Sequence, residues 1–181
     1  MADVFDVARF MIESAGDESD MTNMKLNKLL YYAQGTHLAR TGQPLFCDAI
    51  KAWTHGPVVA AVYQQYKGFG QAPIQPQQSS ADLSFSPEEA DTILDVIREY
   101  GKYTASYLRN KTHAPGTPWA ETPSGQVISR NRILQYFSQR EPTPRWEFDA
   151  AKIPTAGYRG SDGIYTLPAN DISDWSQCDE V

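Results

Sequence analysis

Leu26, Leu29, Leu30, Ala33 and Leu38 recur at the spacing of one helix face, the strongest periodic signal in the chain. Thr22 or Asn23 can cap this helix with a side-chain oxygen, and Gly42 and Pro44 stop it, so a helix is predicted to run to about Ala39. An amphipathic helix of that length has to bury its stripe against other elements. The neighbouring segments supply them. Val4, Phe5, Ala8, Met11 and Ile12 predict a first helix over residues 4–13, ended by Gly16 and the polar run Asp17-Glu18-Ser19-Asp20. Ser86-Pro87-Glu88-Glu89 is a capping box with proline in the first helical position, leading into Ile93, Leu94, Ile97 and Tyr100. Thr104 to Arg109 starts a short helix bounded by Ala114-Pro115-Gly116, and Ser129 caps a last one through Ile133, Leu134, Tyr136 and Phe137.

Between these helices the signals are shorter. Leu45 to Trp53 is apolar-rich with a rough alternation that predicts a short strand or extended segment. Gly56-Pro57 is expected to open a helix whose buried stripe is Val58, Val59, Val62, Tyr63 and Tyr66. From Gly68 to Ser84, a stretch that includes the Gln-rich run Gln71 to Gln78, the residues read as a long surface loop. Beyond Glu141-Pro142-Thr143-Pro144 the periodicity disappears. The expected fold is mainly α: a compact bundle of five to six helices over residues 1–141, with a short strand or hairpin element. An irregular C-terminal extension, residues 142–181, packs on that domain or on a partner.

Composition narrows the function. The 181 residues carry 16 Lys and Arg against 22 Asp and Glu, a net charge of −6, and 41% are hydrophobic, enough for one core. Net acidity disfavours a protein whose main business is neutralising phosphates, so nucleic acid is not an expected partner. The extension holds seven acids and three bases and is the acidic end. The longest apolar run, Val58 to Val62, is too short for a bilayer, and acids stand where a signal peptide needs bases, so a cytoplasmic protein without a membrane partner is expected. Cys47 and Cys178 form neither a CxxC motif nor a framework, which suits a reducing compartment.

Chemistry-bearing motifs are sparse. His37 lies late in the second helix; His55 precedes Gly56-Pro57, where its ring could meet the N–H groups of a helix start; His113 lies at a helix end. A Cys47–His55 nucleophile pair is disfavoured by the Phe46 and Asp48 flanks, which do not promote a thiolate. Cys47, His55, His113 and Cys178 lack zinc spacing, and Gly68-Phe69-Gly70 lacks the remainder of a phosphate loop, so neither metal nor cofactor is expected. Lys25, Lys28, Lys51, Arg109, Lys111, Arg130 and Arg132 read as scattered solubility charges rather than a basic face. No catalytic residue is assigned.

Met24-Lys25-Leu26-Asn27-Lys28-Leu29-Leu30-Tyr31-Tyr32-Ala33-Gln34-Gly35, continued by Leu38-Ala39 and Gly42-Gln43-Pro44-Leu45-Phe46, resembles the Panacea (SocA-like) antitoxin domain family. Ile50-Lys51-Ala52-Trp53-Thr54-His55-Gly56-Pro57-Val58-Val59 with Val62-Tyr63 is similar to the family's second block, and Thr112-His113 with Pro118-Trp119 to a shorter third. The resemblance spans about residues 4–140. It implies a mostly helical domain of phages, prophages and bacteria, often encoded beside a toxin that it neutralises; some relatives deliver a toxin to a protease. The family has no agreed catalytic residues.

The resulting expectation is an antitoxin, not an enzyme, that binds a cognate toxin protein directly. Delivery to an ATP-dependent protease, a promoter-binding repressor and a His55- or His113-dependent enzyme are the alternatives, and a homodimer is left open. Candidate partner-binding residues in the helical domain are Trp53, His55, Tyr63 and Trp119, the last readable as a core anchor or an exposed hot spot. In the extension they are Trp146, Phe148, Tyr165 and Trp175, which with Tyr158 and the seven acids suit docking on a basic partner.

Overall fold

The structure, a computed structural model, describes residues 1–15, 20–76 and 84–140. Residues 16–19, residues 77–83 of the expected loop, Glu141 and the extension, residues 142–181, lie outside them. The fold is mainly α. The elements are α1 (Val4–Ala15), α2 (Asn23–Thr41), β1 (Ile50–Trp53), β2 (Gly56–Val59), α3 (Ala60–Tyr66), α4 (Pro87–Tyr100), α5 (Ala105–Thr112) and α6 (Arg130–Ser138), with a 3-10 turn at Lys67–Phe69.

Helix α2 is the hub. Thr22 caps it by accepting the N–H of Lys25, and Gly42, in the left-handed region at φ 74°, ends it by donating to the carbonyl of Leu38. It packs against all five other helices of the described residues and against β2. Consequently it has no solvent face: Asn23 and every residue from Lys25 to Leu38 are buried. The sequence reading of a single apolar stripe, with Lys25 and Lys28 as solvated charges, is therefore corrected. A helix enclosed on all sides buries whatever its sequence places there, and polar groups must then find partners inside. Lys25 pairs with Asp20. On the side facing α6, Gly35 meets the ring of Phe137 so closely that a Cβ at this position would lie 2.4 Å from it.

Gln34 shows how such partners shape the chain. Its Oε1 accepts the N–H groups of Leu45 (3.0 Å) and Phe46 (3.1 Å), and its Nε2 donates to the Phe46 carbonyl (3.1 Å). Leu45 and Phe46 are fully buried, so their backbone groups need partners that water cannot supply. One amide replaces a strand here. This is why the strand expected from Leu45 begins only at Ile50.

β1 and β2 form an antiparallel hairpin with the register Ile50↔Val59, Lys51↔Val58, Ala52↔Pro57 and Trp53↔Gly56, joined by a two-residue turn, Thr54-His55. The helix expected to open at Gly56-Pro57 begins instead at Ala60, and Val58 and Val59 belong to the strand. Proline costs no donor in either setting. It sits opposite Ala52, whose N–H donates to Gln126 and whose carbonyl accepts from Gly125, both on the far edge of β1. Of the predicted α3 stripe, Val62 is buried, Tyr66 is half-buried and Tyr63 is exposed.

The remaining helices follow their local signals. The Ser86–Glu89 capping box is complete, and Ser129 and Thr104 cap α6 and α5. In α1 the buried residues are Val4, Val7, Ala8, Met11 and Ile12, while Phe5 points out.

Replacing Gln34 with leucine keeps the volume but strands two N–H groups and a carbonyl. Urea denaturation is expected to show a loss of roughly 2–4 kcal/mol; a loss below about 1 kcal/mol would mean that the segment finds other partners.

Candidate partner-binding cleft

The first turns of α2 reach the hairpin and α3 through three polar side chains. Asn23 Nδ2 donates to the Tyr63 carbonyl (3.0 Å), and Asn27 Nδ2 donates to the carbonyl and Oδ1 of Asn23 (3.0 and 2.9 Å). Asn27 Oδ1 accepts the Val59 N–H (2.9 Å), and Lys28 Nζ donates to the Pro57 carbonyl (3.0 Å). Gly56 lies over the Lys28 stem at φ 106°, and a Cβ there would meet Lys28 Cε at 2.5 Å. Only glycine fits both the backbone angle and the space.

From the other side, Trp119 Nε1 donates to the Trp53 carbonyl (2.8 Å). His113 Nε2 lies 3.2 Å from the Thr54 carbonyl and its Nδ1 2.7 Å from the Arg109 carbonyl. The two rings pack together with centroids 3.6 Å apart. Trp119, readable from sequence as core anchor or exposed hot spot, is half-buried, packs against the core and tethers the hairpin. His113 is a second tether, with both ring nitrogens facing carbonyl oxygens.

The hairpin so held forms one wall of an open cleft of about 460 Å³. Asn23, Asn27 and Lys28 line it from α2, Trp53, His55 and Val58 from the hairpin, Tyr63 from α3, and Ser124 and Gly125 from the segment beside β1. Lys67 also lines it. The rings of Trp53 and Tyr63 meet edge to face with centroids 5.1 Å apart. Three of the four site residues predicted in the helical domain therefore share one cleft, and the fourth anchors its wall. Trp146, Phe148, Tyr165 and Trp175 lie outside the described residues.

His55 differs from expectation in its setting, since it stands exposed in the hairpin turn rather than over a helix start. Cys47 lines a separate cleft with Arg130, so it does not pair with His55. Among the described residues, no three His, Cys, Asp or Glu side chains could hold a metal ion, and no helix is long and apolar enough to cross a membrane. His37, placed late in α2, is buried against Thr92.

Sequence reasoning missed Asn23, Asn27 and Lys28. The signal was present as two asparagines four residues apart inside a leucine-rich helix, where an amide has no purpose unless it meets another backbone. Lys28 is the extreme case. Burial first, and then the neighbouring Arg109 guanidinium, push its ammonium down to about 7.

The sequence model of the antitoxin SocA-like, Panacea domain family matches residues 26–120, just over half of the chain. The chain belongs to this family. Among curated proteins, Antitoxin SocA of Caulobacter vibrioides (strain NA1000 / CB15N) is 30% identical over 130 residues, covering 66% of this chain and 69% of the relative. No solved structure matches. The Panacea match contains Lys28, Trp53, His55, Tyr63 and Lys67 together with both tethers, His113 and Trp119. Asn23 and the Ser124-Gly125 rim fall just outside it.

Lys28 gives the Panacea domain a pH signature. Below pH 7 the lysine is charged in both folded and unfolded states, and the fold carries the full cost of burying it. Between about 7 and 10.5 only the unfolded chain holds the proton, so stability rises with pH, by at most about 1.4 kcal/mol per unit. Chemical denaturation at pH 7, 8 and 9 should show the wild type gaining on Lys28→Met across the series; parallel curves would place the Lys28 proton elsewhere.

Proposed function

We propose that this chain is an antitoxin that neutralises a cognate toxin by direct protein–protein binding in the cytoplasm, with the cleft between α2 and the hairpin as its contact site. The single observation that carries this reading is the convergence of Trp53, His55 and Tyr63 on one open cleft within the family-matched region. Aromatic side chains at the mouth of a fixed concave surface are what protein interfaces use as anchors. The hairpin wall is held by the buried Lys28–Pro57 and Asn27–Val59 bonds and the α3 wall by the partly buried Asn23–Tyr63 bond, so little ordering cost remains to be met on association. His113, the histidine next to this wall, has each ring nitrogen within reach of a backbone carbonyl and packs on Trp119, which supports a tethering role over catalysis. Residues 142–181, a separate extension in this reading, add partner specificity through their acidic and aromatic side chains.

Co-expression with the product of an adjacent reading frame tests this directly. Growth rescue together with a stable co-purified complex is the expected result. Tyr63→Ala should weaken the complex about tenfold or more while costing the free fold only the edge-to-face contact with Trp53, about 0.5–1.5 kcal/mol. Loss of the toxin over time in a protease-dependent manner, with no stable complex, would instead establish delivery for degradation.

Deleting residues 142–181 should abolish neutralisation and leave far-UV circular dichroism of the helical domain intact. Unchanged rescue by the truncated chain would remove the extension from the mechanism.

A further inference from the structure

The cleft has an unusual charge for this chain. Acids outnumber bases by 22 to 16 overall, yet the residues that line the cleft include Lys28, Lys67 and His55 and neither Asp nor Glu. At its floor, Lys28 is 1% exposed, and its hydrogen bond goes to the Pro57 carbonyl at 3.0 Å. An ammonium carries three N–H donors, so this buried group has donors left over at a lined opening. The charged side chain felt most at Lys28 is Arg109, of like sign. The amides that might have shared the load are occupied, Asn23 on Tyr63 and Asn27 on Asn23 and Val59. A buried lysine with one carbonyl partner and donors left over at a lined opening is where an incoming carboxylate would hold the charged form.

Met24, Val58 and the Trp53–Tyr63 pair give the cleft apolar and aromatic surface beside these cations. We propose that the cleft receives an acidic peptide segment of the protein partner, with an Asp or Glu carboxylate bonded to Lys28 Nζ and Lys67 near the mouth, and an adjacent apolar side chain packed on Trp53 and Tyr63. This rests on the antitoxin reading above and specifies the chemistry of the segment that is bound. A peptide carboxylate fits better than a nucleic-acid phosphate. A phosphate backbone needs a tract of cations, and α2 spends Lys25 on Asp20 while the chain as a whole is acidic. A single carboxylate needs one deep donor and one shallow one, and a desolvated charged hydrogen bond of this kind is among the stronger polar contacts.

The test needs no toxin. A phage-displayed random dodecapeptide library is panned on the full chain, and the enriched peptides are synthesised and titrated by calorimetry. The expected sequences carry Asp or Glu beside an aliphatic or aromatic residue. Changing that acid to its amide should weaken binding about tenfold or more, as should Lys28→Met, and the two changes together should cost little beyond either alone. Lys67→Glu, at an exposed position, keeps the test decisive if Lys28→Met does not fold, and should also weaken binding. Enrichment of neutral or basic peptides, no enrichment, or acidic peptides indifferent to both variants would overturn the proposal. So would displacement of the peptide by a single-stranded oligonucleotide. Growth rescue without acid selection would sink this inference alone, whereas acid selection without any toxic neighbour would leave it standing and sink the antitoxin reading.

Discussion

Asn23, Asn27, Lys28 and Gln34 are polar side chains buried in a helix that every other described helix touches, and the path of the chain around α2 follows from their needs. A buried amide or ammonium without a partner costs more than most single contacts return. Each of these four has its partner on another segment's backbone or on a neighbour that reaches one: Tyr63, Val59, Pro57, and the Leu45-Phe46 pair. Those are the segments with the least regular structure of their own. α2 therefore acts as a template, supplying through side chains the hydrogen bonds that a larger sheet would supply through backbone. Apolar packing sets where the helices lie, and these bonds set how the connections run between them.

Much of this was legible before any coordinates. Helix starts are written in short, local chemistry, and Thr22, Ser86, Thr104 and Ser129 each cap the helix that follows them. Other features depend on partners distant in sequence. Gly56-Pro57 suits a helix start as well as a strand, and only the pairing with Trp53 and Ala52 decides for the strand. The surroundings of Lys28 are equally non-local, because a lysine on a helix reads as solvated until five other helices close around it. Of the cleft, the Trp53, His55 and Tyr63 wall was legible through the family resemblance. The α2 wall was not, since its members look like interruptions of an apolar pattern rather than parts of a site.

The cleft and the core share a construction. Trp119 and His113 hold the hairpin from behind, and Asn27 and Lys28 hold it from α2, so the same bonds that place β2 also place Trp53 and His55. Binding surfaces mounted on such fixed elements retain their geometry better than those on free loops. The arrangement also explains why glycine stands at position 56, where the backbone passes directly over the Lys28 stem. The strand passing this closely is part of what encloses the Lys28 side chain.

The hairpin has a further property. An isolated pair of strands exposes two rows of backbone groups, each able to recruit a strand from another molecule. Here β1 is covered on its far side by Gln126 and Ile128, which exchange bonds with Ala52 and Ile50. On β2, the Val59 N–H and the Pro57 carbonyl are already bonded by Asn27 and Lys28, and Pro57 itself has no N–H to offer. The little sheet is thus sealed at both margins, one by main chain and one by side chains, and this hairpin has no edge left to recruit a strand from another molecule.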